Sequence, residues 1–429
     1  MLDNVSTIAT SREAGPVRSS DDEGLSYTAP RRWRIAAWSL LFLTLVSGTL
    51  LRYQWSGGSP ALFNGRFLLH AHSHVALLGW TFVGIFSLLF ARRSTGSRGD
   101  PAPISPTPSR LAGEGLFLLL IAALFAAFLM QGYGFWSILL SMLHILVSFG
   151  FIAGYARGPR HRLDDAARPW LDLSMVWFVV ATIGPMLLAG GDRFGQGWID
   201  AWVGFYLTLL FNGWLTFAVI GLLVDNRVIR ASHGVARIMA LGVLPTAVPA
   251  LAAWIEIPFS LWVGWVGALL FGGGLVAVVV GAGPAGTSWG PARWLRGSVL
   301  CALLLAAGLM ALGAAPPLAP VVSEVRNLTI GFIHLQLVGF VSTALILLLF
   351  PAPRFATSAF LAGTWAMLAI LFAFGLVELS GRPIFFPVQW ALTGTGALML
   401  VGASLLVGNG TATSPSAPGP TSPPRSLPS

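Results

Sequence analysis

The segment Arg66-Phe-Leu-Leu-His70-Ala-His72-Ser-His74 puts three imidazoles within five residues, inside a run apolar enough to lie in a membrane. Imidazole binds zinc, copper and iron, and serves as an axial ligand to haem. On an α-helix His70 and His74 share a face while His72 points about 200° away, so one ion cannot hold all three on an undistorted helix. Two arrangements remain. A pair on one face holds a metal with a third ligand from a neighbour, for which His70, His74 and His144 are the candidates. Alternatively, one imidazole is a haem ligand and a second its hydrogen-bond partner. Beside these stands a structural reading, in which the histidines bridge the headgroup region or hydrogen-bond between helices. His334 and His144 lie in two further apolar runs, whereas His161 and His233 fall between runs and read as solvated surface. The other intramembrane polar groups are Asp172, Thr208, Asn212, Glu256, Gln336 and Glu378; Thr208, Asn212 and Gln336, with Arg66, are kept as site candidates, while Glu256 and Glu378 are read as helix-capping or water-facing groups.

The elements that carry these residues are transmembrane helices. With 55% hydrophobic and only 10% charged residues the chain has no water-facing surface of ordinary composition. Runs of about twenty apolar residues, each long enough to cross about 30 Å of hydrocarbon, recur along it. The spans read as Trp33–Leu51, Phe67–Phe90, Gly113–Met130, Trp136–Tyr155, Trp170–Leu188, Ala201–Leu223, Val235–Trp254, Phe259–Val279, Trp294–Leu312, Leu328–Leu349, Phe355–Val377 and Val388–Val407. The expected fold is therefore all-α and polytopic: one bundle of about twelve helices over residues 33–408, with disordered polar segments at 1–32 and 409–429. The loop Arg92–Arg110 reads as flexible, and no internal repeat is evident.

Charge sets the orientation. All 25 basic residues are Arg, and five of them (Arg52, Arg66, Arg193, Arg326 and Arg382) fall on one set of alternate loops, the rest on the other. The Arg-rich loops are cytoplasmic by the positive-inside rule, which places both termini inside and the chain in the plasma (inner) membrane. Scattered in this way, the net charge of +9 addresses membrane lipid and not nucleic acid. Even-numbered spans then enter from the outside, and at 1.5 Å per residue His70 to His74 lie about 5–10 Å deep, His334 about 9 Å and His144 about 12 Å. Three helices thus deliver imidazoles to one level, and intramembrane ionisable groups of this kind mark function. The single Cys301 excludes an internal disulfide, a Cys-ligated Fe–S cluster and a c-type haem attachment. No cleavable signal peptide is expected.

With twelve spans, both termini inside, and histidines near the outer starts of spans two and ten, the chain resembles the heme-copper oxidase subunit I superfamily. Arg66-Phe-Leu-Leu-His70 followed by Gly79-Trp80 is similar to the R-x-x-H…G pattern in span two of the C-type oxidases and nitric oxide reductases, with the Arg one residue further away. Phe211-Asn212-Gly213-Trp214 and Ile333-His334-Leu-Gln336-Leu-Val-Gly339-Phe340 are similar to a shorter branch of that superfamily. The resemblance implies at least one haem b, held by His334 and one of His70, His72 or His74, with His70 favoured by its distance to Gly79. It also implies a redox partner protein or quinol. The departures concern copper. Span six reads Tyr206-Leu-Thr208-Leu-Leu-Phe-Asn212, span seven has no histidine, and the H-x-H expected in span ten is His334-Leu-Gln336. No binuclear copper site and no four-electron oxygen reduction are expected; if the chain is an enzyme, it is an oxidoreductase of this type.

Three readings stay open. The first is a haem protein for electron transfer or gas and redox sensing. The second is a copper- or zinc-handling protein with the His-x-His-x-His run as an outward-facing entry site. The third is a transporter-like bundle whose histidines are satisfied in the core.

Overall fold

Backbone N–H and C=O groups in lipid have no water to bond, so each apolar run closes its own ladder as helix. In the computed structural model, which describes residues 27–57, 62–93, 108–188, 194–283, 290–350, 353–381 and 387–406, twelve long helices follow one another. They are α1 (Arg31–Trp55), α2 (Gly65–Leu89), α3 (Pro108–Gln131), α4 (Phe135–Arg157), α5 (Arg168–Leu188), α6 (Gln196–Asp225), α7 (His233–Leu251), α8 (Ser260–Gly281), α9 (Pro291–Gly313), α10 (Arg326–Leu349), α11 (Arg354–Leu379) and α12 (Pro387–Ser404). Each corresponds to one expected span. Among the described residues, however, eleven are long and apolar enough to cross a membrane. The exception is α12, whose 18 residues include Gln389, Thr393 and Thr395. It is nonetheless packed between α1 and α11, where Trp38 Nε1 donates to Ala403 O at 2.8 Å. The only strand pairing among the described residues joins Tyr27–Thr28 to Arg92–Arg93. The N-terminal segment before Tyr27, the tail from residue 409 and most of the loop after Arg93 lie outside the described residues, as do Arg193 and Arg382.

Side chains facing away from the bundle are apolar, among them Leu116, Met130, Leu146, Leu241, Val280, Phe355 and Leu376. This inverts the pattern of a water-soluble helix and suits hydrocarbon. Inside, three helices form the centre: 78, 89 and 72% of the apolar windows of α2, α6 and α10 are buried, against 22–44% for the other eight spans. The later halves of these three helices touch one another pairwise.

The three central helices also share a distortion. Each turns π-helical in its middle, at Val75–Thr81, Leu209–Leu215 and Leu335–Ser342. Every segment begins four residues before a glycine, Gly79, Gly213 or Gly339, and an aromatic comes next in each: Trp80, Trp214 and Phe340. The distorted helices are four spans apart and therefore run in the same direction through the bundle. In this register His74, Thr208 and His334 occupy one equivalent position, the last residue before each π segment. A π turn misaligns carbonyls that hydrocarbon cannot satisfy, and side chains answer them. Thr81 Oγ1 donates to Leu77 O, Thr216 Oγ1 to Phe211 O and Thr343 Oγ1 to Val338 O, at 2.7, 2.7 and 2.9 Å.

The glycine matters most in α6. A Cβ at Gly213 would stand 2.6 Å from Trp177 Cβ, so only glycine lets α5 approach this closely.

Candidate histidine site

Helix α2 starts on Asn64, whose Oδ1 accepts from the N–H groups of Arg66 and Phe67 at 3.0 and 3.3 Å. The cap fixes the rotation of the turns after it. His70 and His74 accordingly face α3 and the α3–α4 turn, and His72 faces α1. The His70 ring meets Tyr133 edge-on at 4.5 Å, and His74 stacks on Phe128 at 3.7 Å between centroids. The His72 ring lies against a strip of small residues on α1: its Nδ1 donates to Thr44 O at 3.0 Å, with Ser47 Oγ at 3.2 Å. Thr44, Ser47 and Gly48 sit at i, i+3 and i+4, one helix face.

His334 uses its own helix, its Nδ1 donating to Ile330 O at 2.8 Å. His74 does likewise to His70 O at 2.9 Å. A ring whose Nδ1 carries the proton and gives it to a carbonyl has its Nε2 lone pair directed outward. This is the tautomer and second contact found in imidazoles that ligate metals. His72, His74 and His334 all have this form, and none makes a hydrogen bond through Nε2 among the described residues.

They do not form one group. His334, His72 and Arg52 lie within electrostatic range of one another, on the side of the bundle where α1, α2 and α10 meet. His74 lies on the other face of α2, within range of His144. His144 is oriented the opposite way: its Nε2 donates to Leu78 O at 3.0 Å and its Nδ1 faces Ser148 Oγ at 3.3 Å. It is completely buried, and the carbonyl it satisfies belongs to the π segment of α2. As arranged, its Nε2 ties α4 to α2, while its Nδ1 meets a hydroxyl of its own helix. Among the described residues no three His, Cys, Asp or Glu side chains come together to hold a metal ion.

Of the other candidates, Arg66 is exposed in the first turn of α2 and Thr208 is half-buried at the histidine-equivalent position of α6. Asn212 makes an interhelical bond, its Nδ2 donating to Thr246 Oγ1 at 3.3 Å, and Gln336 is buried in the π segment of α10. The α1 strip and the rings of Phe128 and Tyr133 were not singled out by sequence reasoning. The i, i+3, i+4 spacing of Thr44, Ser47 and Gly48 was the available signal.

These contacts lead to two expected results. A Cβ at Gly48 would stand 2.7 Å from His72 Cε1 and 3.1 Å from Nδ1, so Gly48→Ala turns the imidazole off Thr44 O. Losing that hydrogen bond costs about 0.5–1.5 kcal/mol and the helix preference of Ala over Gly returns about 0.5–1 kcal/mol, so the variant should melt close to the wild type while losing whatever His72 holds. Unchanged ligand content would refute this role of the strip. His144→Ala should do the reverse. It orphans Leu78 O in a dry core, a cost of about 1–3 kcal/mol read as a lower melting temperature, and it should leave bound ligand in place.

The chain matches no protein-family model, and no curated protein matches it in sequence.

Proposed function

We propose that this multi-pass membrane protein binds haem b, which His72 of α2 and His334 of α10 would hold, and serves electron transfer or gas and redox sensing. What carries the reading is the pair itself: two imidazoles on two different core helices, each fixed through Nδ1 to a carbonyl and, among the described residues, unengaged at Nε2. The donor set suits the group. Two imidazole nitrogens within a hydrocarbon-spanning bundle would hold haem iron, and the haem, when bound, would supply one-electron exchange. The protein's own residues would orient the ligands: Thr44 O and Ile330 O hold the two rings in one tautomer, and the two π segments fix the registers of the helices that carry them.

Relative to the sequence-based preference for His70, the pairing moves by two residues, because the His70 ring is turned to Tyr133 on the opposite face of α2. The twelve-span topology with both termini cytoplasmic, the plasma-membrane location and the kinship with heme-copper oxidase subunit I are part of the same proposal. They draw on the arginine asymmetry and on the placement of His74, Thr208 and His334 in spans two, six and ten. A redox protein or quinol would be the electron partner. With Thr208 in α6 and no histidine in α7 past His233, the proposal includes no binuclear copper centre.

The test is spectroscopic. Protein expressed with haem supplementation and purified in mild detergent should give a b-type reduced-minus-oxidised spectrum and a pyridine hemochrome close to one haem per chain. A haem-free preparation would overturn the reading, and metal analysis of the same sample would then decide between zinc or copper and no cofactor.

A further inference from the structure

Haem ligation through His72 uses one face of α2 and leaves the opposite face, with His70 and His74, without a role. Those two residues stand at i and i+4 on regular α-helix, which puts their Cβ atoms about 5–6 Å apart. Two histidines at this spacing on one helix face are the chelating part of helical zinc sites. His74 is already arranged for such a role. Its Nδ1 donates to His70 O at 2.9 Å, its ring is held by the Phe128 stack at 3.7 Å, and its Nε2 has no hydrogen bond among the described residues. His70 makes no side-chain hydrogen bond among the described residues; it is partly exposed and meets Tyr133 edge-on. Its ring can therefore turn toward His74 without giving up a polar contact.

The wall opposite the pair is fixed. The α3–α4 turn, Gly132-Tyr133-Gly134, is closed by Ser137 Oγ, which donates to Gly132 O at 2.6 Å and accepts from the Gly134 N–H at 3.0 Å. Gly132 has a φ of +60°, and a Cβ there would stand 2.6 Å from Phe67 Cδ1, so the turn is seated on α2 just before His70. Tyr133 is thereby carried across both imidazoles, its ring centroid 4.5 Å from that of His70 and 5.7 Å from that of His74, and is itself 61% exposed. The pair thus opens at the end of the bundle where α2 begins. His144, the third ligand expected from the sequence, is not in this set, because its Nε2 is turned to Leu78 O. Arg66, one turn before His70, is exposed, so water and salt screen its charge from the site.

We propose that His70 and His74 form a binding site for a divalent transition ion of the zinc or copper class, beside Tyr133 and on the face of α2 opposite His72, with water filling the remaining positions. Neutral imidazoles select such ions over magnesium and calcium, which take oxygen ligands. The site shares no ligand with the His72–His334 pair and does not rest on the haem reading.

Full-length protein without a histidine tag, stripped with EDTA and freed of the chelator, is titrated with Zn²⁺ and, in parallel, with Mg²⁺, and the same preparation is loaded with Cu²⁺ for electron paramagnetic resonance. His70→Phe and His74→Phe keep rings against Tyr133 and Phe128 while removing the donor nitrogens, and melting of the metal-free samples checks that both fold. Wild type should bind one Zn²⁺ per chain with micromolar affinity, ignore Mg²⁺, and show Cu²⁺ coupled to two nitrogens. Each Phe variant should bind Zn²⁺ about tenfold or more weakly and show coupling to at most one nitrogen. His72→Phe tests whether the other face of α2 takes the ion instead; Zn²⁺ affinity should stay as in wild type. Absence of Zn²⁺ binding in wild type, or equal affinity in wild type, His70→Phe and His74→Phe, overturns the site, as does loss of the ion on His72→Phe alone. A preparation that takes no haem yet binds Zn²⁺ through His70 and His74 removes the haem reading and leaves this site standing; full haem with no Zn²⁺ binding does the reverse.

Discussion

Replacing His334 with alanine is expected to abolish the b-type spectrum while the protein still elutes and melts as a folded bundle. The ring is anchored by its own helix, through Nδ1 to Ile330 O at 2.8 Å, so its removal breaks no hydrogen bond between helices among the described residues. Its loss takes away one of two axial nitrogens and should reduce haem occupancy by about tenfold or more, the effect of any contact worth over about 1.4 kcal/mol. His72→Ala should match it. His70→Ala should not, because that ring packs on Tyr133 across the helix. His74→Ala is the sharper control: it has the same Nδ1-to-carbonyl contact as His334 and the equivalent place before a π segment, but lies on the α3 side. A preparation that keeps full haem without His334 would end the proposed ligation, and one that loses haem only with His74 would move the site to the other face of α2.

How much of this was legible in the residues differs by level. The helices were, because hydrocarbon leaves an apolar run one way to satisfy its backbone, and each expected span became a helix. The opposed directions of His72 and His70 were too, since the turns carrying them are regular α-helix. The course of α2 beyond His74 was not. A count of residues from His70 to Gly79 assumes 3.6 per turn, and the π segment from Val75 to Thr81 breaks that count, so the spacing does not give the relative directions of His70 and Gly79. The distortion common to α2, α6 and α10 was hidden for a related reason. The three segments share a glycine–aromatic pair and little else in residue identity, as His74, Thr208 and His334 illustrate. His144 looked like a third ligand at the right depth, but depth does not reveal that a widened turn leaves Leu78 O in need of a donor. The twelfth span shows the limit of composition from the other direction: α12 is held by α1 and α11 through Trp38 and close glycine contacts, although its own residues are less apolar than those of its neighbours.

Among the described residues one side-chain hydrogen bond joins α2 to α10, the helices proposed to hold the haem, and cutting it should cost both stability and haem. Trp80 sits in the π segment of α2, 2% exposed, and donates from Nε1 to Ser342 Oγ in the π segment of α10 at 2.8 Å. Trp80→Ala removes the largest buried ring at this crossing and the hydrogen bond together, a loss of about 3–5 kcal/mol. Trp80→Phe isolates the polar part. Most of the packing remains, Ser342 is left buried without its donor, and the cost should fall to about 1–3 kcal/mol. Trp214 provides the reference, because it occupies the same position in α6 and is equally buried, yet its Nε1 has no hydrogen-bond partner among the described residues. Trp214→Phe should therefore lower the melting temperature less than Trp80→Phe, although the same atoms are removed. Haem should respond in the same order, with faster transfer of haem from Trp80→Phe to an external acceptor such as apomyoglobin, since His72 and His334 depend on the register between α2 and α10. Equal melting shifts for the two Phe variants would mean that the Trp80–Ser342 bond contributes nothing beyond packing. The alignment of the two histidines would then rest on the contacts between the later halves of α2 and α10, where a Cβ at Gly84 would come within 2.9 Å of Leu345.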